Sequence, residues 1–372
     1  MNQTKLLKIL LAVVLASLLC VIACVGYLLA AVGDEAPIET TASTETAAPE
    51  TTAPETEPTT VPTEPEPEIF TLTFVGDCTL GSAPSHYNMG SSFINTIGLD
   101  YDYPFQNVAQ YFENDDFTMV NLESVLGEVG YPAEKTFTFR GPAEYINILT
   151  GSSVEAVTLA NNHSRDYGQK GYESTTSLLS DAQVTYVEKD GSALYTTESG
   201  LTIGLYAASF TVYQDDLEAE VAALREQGAE IVIFAVHWGV EGSYHPLSHQ
   251  VQQAYDAIDA GVDIVYGSHP HVLQEIEDYN GGIIYYSLGN FCFGGNHYPP
   301  DLDTAILQQQ VIRYPDGTVT LGELTIIPAS ISSLPVQNDF QPTPYEEGSA
   351  EYDRVISKLD GTFDGGDLVV SY

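Results

Sequence analysis

The sequence predicts an α/β fold that gathers its ligands at the carboxyl ends of its strands. Two observations carry this expectation. Apolar strand patterns alternate with amphipathic helical patterns through most of the chain. In addition, Asp77, Glu123, Asn162 with His163, His237, and the pair His269 and His271 stand directly after separate strand patterns, five segments in all. Open α/β sheets bind their ligands at such strand ends.

In chain order, the first segments lie outside this alternation. Residues 1–33 read as a short cytoplasmic tail and a transmembrane anchor, because Ile9 to Val32 is uncharged, rich in Leu, Val and Ala, and preceded by Lys5 and Lys8. The expectation is a single-pass cell-membrane protein with its bulk extracellular. A cleaved signal peptide and lipidation at Cys24, in Val21-Ile22-Ala23-Cys24, are the alternatives. The apolar stretch is longer than a usual signal core and stays uncharged beyond Cys24, which favours the anchor. Residues 34–68 form a Thr/Glu/Pro-rich linker with a loose Ala-Pro-Glu-Thr repeat at Ala48 and Ala53. With nothing apolar to bury, it is expected to be a disordered spacer.

A domain is expected over 69–332. Phe70 to Val75 alternates as a strand and runs into Gly76-Asp77. A helical pattern around Phe105, Val108 and Phe112 precedes the strand Phe117 to Val120, which ends in Asn121-Leu122-Glu123. A Pro-started helix near Pro142 to Leu149 leads to the strand Ala156 to Ala160, then Asn161-Asn162-His163 with Asp166 three residues on. A helix from Gln169 to Leu179, strands at Val184 to Val187 and Leu201 to Ala207, and a helix Leu217 to Glu226 follow. Glu230 to Val236 is a buried-strand run ending at His237-Trp238-Gly239, with Glu241, His245 and His249 beyond it. Helix Leu247 to Ile258 and strand Val262 to Tyr266 deliver Gly267-Ser268-His269-Pro270-His271. In extended backbone, positions i and i+2 point the same way, so these two imidazoles are expected to converge. Gly282 to Tyr286 is one more strand, and Thr304 to Tyr314 with Thr318 to Ile327 flank Asp316-Gly317 as a hairpin. Residues 333–372 are expected to be a wrapping tail with one short helix.

Composition narrows the function. With 52 acidic against 11 basic residues the net charge is -41, and no Lys or Arg occurs between Lys8 and Lys135. Nucleic acid and anionic lipid surfaces are therefore poor partners. Of the four cysteines only Cys78 and Cys292 fall in the domain, too few for a disulfide scaffold; a pair of inert thiols and a single bridge both remain open. Taken alone, Asp77 could cap a helix, Glu123 could pair with an arginine and Asn162 could hold a turn. Taken as a set of Asp, Asn and His ligands, they suit a borderline divalent ion, Mn, Fe or Zn, better than Mg or Ca.

Val75-Gly76-Asp77, Asn121-Leu122-Glu123, Ala160-Asn161-Asn162-His163, His237-Trp238-Gly239, Gly267 to His271 and Ser287-Leu288-Gly289-Asn290-Phe291, in that order, resemble the CapA family of capsule-synthesis proteins of poly-gamma-glutamate-producing bacteria. That family shares the calcineurin-like metallophosphoesterase architecture. The resemblance implies an αββα sandwich of mixed sheets flanked by helices. It also implies one or two divalent ions held by Asp77, bridging Glu123, Asn162, His237, His269 and His271, with His163 as the acid that protonates the leaving group. Metallophosphoesterases carry Asp-x-His in the first motif, whereas this chain has Asp77-Cys78-Thr79, so one histidine ligand is missing. A metal-free dyad of His163 and Asp166 is the chemical alternative. The expected function is a metal-dependent, hydrolase-like enzyme acting on poly-gamma-glutamate in capsule synthesis or attachment. A non-catalytic assembly or export subunit among membrane capsule-synthesis subunits, and a peptide α-carbon epimerase, are the alternatives. For a polyanionic substrate in so acidic a chain, Arg140 or Arg165 is expected to add local positive charge beside the metal.

Overall fold

The computed structural model describes residues 65–369. The expected anchor and nearly all of the linker lie outside these residues. No helix among the described residues is long and apolar enough to cross a membrane.

Two sheets stack face to face. In the eight-stranded sheet the order is Thr343–Pro344, Val319–Ser330, Asp303–Arg313, Glu68–Thr79, Phe117–Leu122, Ala156–Thr158, Thr185–Val187, with Asn290–Phe293 pairing in parallel beside the end of Glu68–Thr79. The six-stranded sheet runs Ile276–Tyr279, Gly282–Tyr285, Ile264–Ser268, Ile231–His237, Thr202–Ser209, Gly191–Thr196. In the six-stranded sheet the central neighbours are parallel and both edges antiparallel, whereas the eight-stranded sheet is parallel from Glu68–Thr79 to Thr185–Val187 and antiparallel on the other side, so both sheets are mixed. Parallel strands need crossovers, and the helices Gly168–Asp181, Gln214–Glu226 and Ser248–Asp259 are among them.

Alternation along the strands produces the layers. Phe70, Leu72 and Phe74 of the first sheet face Ile203, Ile233, Ile264 and Tyr266 of the second in one buried cluster, with Phe74 and Tyr266 rings 5.5 Å apart. Val120, Val157 and Leu179 fill a second cluster on the outer face of the first sheet. Val232, Phe234, Leu217, Val221 and Ala254 fill a third beneath the helices of the other sheet. Helix, sheet, sheet, helix is the layering that the family resemblance implies.

Several boundaries differ from expectation. The strand at 156 closes at Thr158, and the helix near 142–149 is a 3₁₀ turn Ala143–Tyr145 followed by the short helix Ile146–Thr150. Strands Gly191–Thr196, Ile276–Tyr279 and Asn290–Phe293 are additional. The tail does wrap: helix Ala350–Leu359 packs against the long hairpin, held by buried Lys358 on Asp301 (2.6 Å) and Asp303 (2.7 Å) and by Arg354 on Asp303 (2.7 Å).

Candidate metal centre

The strand ends of both sheets open at one place. Asp77 is aimed there by a register shift between Phe74 and Asp77 in the pairing with Phe117–Leu122. Such a bulge bends a strand and re-directs one side chain. Gly76 is required next to it, since a Cβ there would lie 2.3 Å from the carbonyl oxygen of Gly289. Glu123 follows Phe117–Leu122 immediately, and its amide donates to the carbonyl of Cys78 at 2.9 Å. His237 is the last residue of its strand.

His269 and His271 do converge on the centre, but not as extended backbone. Both follow Ile264–Ser268 in a turn with positive φ, 99° and 56°. Phe210, with φ 67°, is a third such residue, its ring edge-on to His269 at 5.5 Å. Conformations of this kind cost about 1–3 kcal/mol each and persist only where surrounding bonds over-determine them. Here the amide of Gly242 donates to the carbonyl of Pro270 (2.8 Å), and the Ser287 hydroxyl donates to the carbonyl of Val272 (2.8 Å).

Three donor sets result, each with ligand atoms within 4.8 Å of one another: Glu123, His237 and His269; Asp77, Glu123 and His271; and Glu241, His269 and His271. Asn162 joins the first through its Oδ1, 2.9 Å from His237 Nε2. The other His237 nitrogen, Nδ1, is paired with the Ser268 hydroxyl at 2.9 Å, which orients the ring. Asp77 receives a bond from the Asn121 side-chain amide (2.7 Å), and Asn121 in turn accepts one from Asn161 (2.9 Å). His271 Nδ1 lies 3.1 Å from Asp77 and 3.0 Å from the Asn290 side-chain oxygen.

These residues fit a cation. Both carboxylate oxygens of fully buried Glu123, and Nδ1 of His269, lack a hydrogen-bond partner. Buried polar groups are normally satisfied, so such orphans need an account. Glu123 stands 3.4 Å from His237 Nε2 and 4.0 Å from His271 Nδ1, spacings that suit atoms sharing an ion at about 2.0–2.2 Å each. Two of the histidines already have the protonation state of a metal ligand, while Glu123 and His271 hold protons that an ion would displace. Burial, reinforced by the neighbouring histidines, lowers His237 well below its ordinary range and brings His269 down to about 4, so both rings are neutral, the form that binds metals. Burial, and then the charge of Asp77, raises Glu123 well above the carboxylate range. For His271 burial acts downward, but Glu123 and Asp77 outweigh it and raise the ring to about 10.

His163 and Asp166 form the expected pair, Nδ1 to Oδ2 at 2.7 Å. The Phe139 amide donates to the same oxygen at 2.6 Å. Lys135 completes a triad: its ammonium pairs with the other Asp166 oxygen, reaches His163 Nδ1 at 3.1 Å and donates to the Asn162 carbonyl at 2.8 Å. Burial lowers His163 in spite of Asp166. A cleft of about 350 Å³, walled by Phe137, Phe139 and Phe293, opens onto His163, His271 and Glu241.

The structure brings Asp77, Glu123, Asn162, His163, Asp166, His237, His269 and His271 to one place, whereas the expected arginines lie away from the cleft. Arg140 stacks on Tyr167 (4.3 Å) and Arg165 on Tyr172 (3.9 Å), and neither lines the cleft; Lys135 is the cation at the histidine. Glu241, Lys135 and Asn290 were not in the expected set. Glu241 lies four residues after His237, and Lys135 is the first cation after Lys8, the only hints the chain offers. Trp238 is a packing residue, fully buried with its indole N–H on the Tyr286 carbonyl at 2.9 Å. Cys78 and Cys292 are free, buried partners across Glu68–Thr79 and Asn290–Phe293, and burial pushes both thiols up, so they are inert.

Fold and site together define a layered α/β protein with a histidine and carboxylate centre of metal-binding type between its two sheets. The family of the bacterial capsule synthesis protein PGA_cap matches residues 71–295, and the chain belongs to that family. It is 30% identical over 295 residues to the capsule biosynthesis protein CapA of Bacillus anthracis, covering 72% of this chain and 68% of that one. It is 28% identical over 316 residues to the PGA biosynthesis protein CapA of Bacillus subtilis, covering 78% of each. A probable polyglutamine synthesis accessory protein of Mycobacterium tuberculosis is 28% identical over 230 residues, 52% of this chain and 60% of that one. Among solved structures, Haemophilus influenzae NAD nucleotidase overlaps 80% of this chain and 63% of its own at 11% identity and a TM-score of 0.37. A purple acid phosphatase from yellow lupin overlaps 71% and 55% at 13% identity and a TM-score of 0.30.

Proposed function

We propose that this protein is a divalent-metal-dependent, hydrolase-like enzyme of capsule synthesis or attachment, acting on poly-gamma-glutamate while held at the cell membrane by its N-terminal segment. The observation that carries the reading is Glu123, a fully buried carboxylate with no hydrogen bond on either oxygen, set among Asp77, His237, His269 and His271. The relatives named for capsule and poly-gamma-glutamate biosynthesis support the polymer as the partner.

Asp77, Glu123, Asn162, His237, His269 and His271 would hold the ion, Mn, Fe or Zn, with Glu123 common to two donor sets. Bound there, it supplies Lewis-acid polarisation of a carbonyl or phosphoryl oxygen and an activated water. The proton is handled by the chain. Asp166 accepts from His163 Nδ1–H, a tautomer assigned from the network, which leaves Nε2 to take a proton from the attacking water and return it to the leaving atom. Asp166 then stabilises the imidazolium, while Lys135, paired with its other oxygen, fixes the carboxylate in place. Phe137 and Phe139 exclude water from one wall of the cleft.

A non-catalytic assembly subunit is the second reading, favoured by Thr79, which stands where Asp-x-His motifs carry a histidine and whose buried hydroxyl has no partner. Incubating the purified chain with poly-gamma-glutamate and Mn, Fe or Zn separates the two. Catalysis predicts shortening of the polymer that His163→Ala abolishes. Polymer of unchanged length with every metal, alongside intact metal binding, would leave the scaffold reading in its place.

A further inference from the structure

Beyond helix Ala350–Leu359 the tail returns to the mouth of the cleft. The Phe363 ring packs on Tyr244 at 4.8 Å. Past Asp364-Gly365-Gly366, the carboxylate of Asp367 accepts from the Tyr244 amide (2.9 Å) and from the Ser243 hydroxyl (3.3 Å). The amide of Leu368 donates to the Gly242 carbonyl at 2.9 Å, and Leu368 itself lines the cleft beside Glu241 and His271. Gly242 is the residue whose amide holds Pro270 between the two site histidines, so the tail is two hydrogen bonds removed from that turn.

We propose that the Ser243-Tyr244 clasp is a carboxylate-binding subsite for an acidic polymer, occupied in cis by Asp367 of the chain's own tail. The proposal rests on the polymer reading above and assigns the place where a side-chain carboxylate of that polymer is held. The chemistry is that of an anion clasp: a backbone N–H and a hydroxyl, the latter shared with the His245 carbonyl at 3.2 Å, meet one carboxylate with no Lys or Arg bonded to it. That suits a chain with a net charge of -41, where a basic groove is not available. Asp360, Asp364 and Asp367, spaced along an irregular segment with three glycines, reproduce the chemistry of an acidic chain laid at the mouth of the cleft. Gly366 has open space around it, and Val369 is almost fully exposed, so the end of the segment can lift without disturbing the core. Polymer and tail then compete for one subsite.

The experiment is binding of a fluorescent gamma-linked glutamate oligomer to the full chain, to Asp367→Asn and to a chain ending at Phe363. A tethered competitor lowers apparent affinity by the fraction of time it holds the site, and removing it is expected to tighten binding by about 3–10-fold in both variants. Hydrogen exchange at the Tyr244 amide is expected to accelerate in both, and to slow again when oligomer is added. Measurable binding that is equal in all three proteins overturns the subsite and leaves the polymer reading standing. No binding by any of the three overturns the subsite together with the polymer reading.

Discussion

Replacing Glu123 by glutamine preserves shape and removes one charge from the centre of two donor sets, those of His237 with His269 and of Asp77 with His271. Its effect has opposite signs with and without metal. Without an ion, Glu123 is a buried carboxylate beside Asp77, raised by burial first and by that charge second, so the neutral amide is expected to leave stability unchanged or improved. With an ion, the wild-type chain gains by linkage about 2.7 kcal/mol at a hundredfold excess over the dissociation constant. At about 2–4 °C per kcal/mol, the scale for domains somewhat smaller than this one, the midpoint rises by about 5–10 °C. The variant loses its ligand in both sets at once, so that rise is expected to fall to near zero. Thermal unfolding in chelator and in excess Mn, Fe or Zn reads both effects. A full metal-dependent rise in Glu123→Gln, or a large loss of stability in chelator, would refute the reasoning.

Three further outcomes follow from other parts of the molecule. Burial raises Glu155 from 4.5 to about 7 in the fold, so the native state binds the extra proton and the stability this group contributes is lost as pH rises from about 4.5 through 7; Glu155→Gln, which keeps an acceptor for the Thr118 amide, is expected to remove that slope in urea unfolding measured across this pH range. Lys358 is buried between Asp301 and Asp303, and Lys358→Ala leaves Asp301 without a cation while Arg354 still holds Asp303, a loss expected at about 3 kcal/mol by urea unfolding at neutral pH. In Gly267→Ala the added Cβ would lie 2.1 Å from the Tyr286 carbonyl oxygen, so the strand must shift and carry His269 and His271 with it; metal affinity is expected to fall at least about tenfold, measured by competition with a chelating dye.

The parts of the molecule that obey local rules were legible in the sequence. Phe70 to Val75 and Glu230 to Val236 announce themselves by alternation and by continuous apolar runs, and a polar residue after each is easy to place at a strand end. The edge strands of the six-stranded sheet were not legible. Gly191–Thr196 is half exposed, and Ile276–Tyr279 carries Glu277 and Asp278, so neither has an apolar run to mark it. Asn290–Phe293 is a strand only because it pairs with Glu68–Thr79, a contact between segments over two hundred residues apart. The same limit applied at the site. Its members were identified one strand end at a time, but Lys135 and Glu241 sit in loops whose positions are set by packing, and the left-handed turn at His269 and His271 is imposed by the loops that hold Pro270 and Val272. Arg140 and Arg165 were expected on charge alone, and the tyrosine faces they cover had no signal in the sequence.

The buried set of carboxylate and imidazole side chains is expected to hold a divalent ion. Elemental analysis of the purified full chain, after exposure to Mn, Fe and Zn and removal of free metal, tests it most directly when the wild type is run beside His269→Ala, His271→Ala. Near-stoichiometric metal in the wild type and only a trace in the doubly substituted chain is the predicted result. A wild type that emerges without metal from all three, or a doubly substituted chain loaded as fully as the wild type, would contradict it.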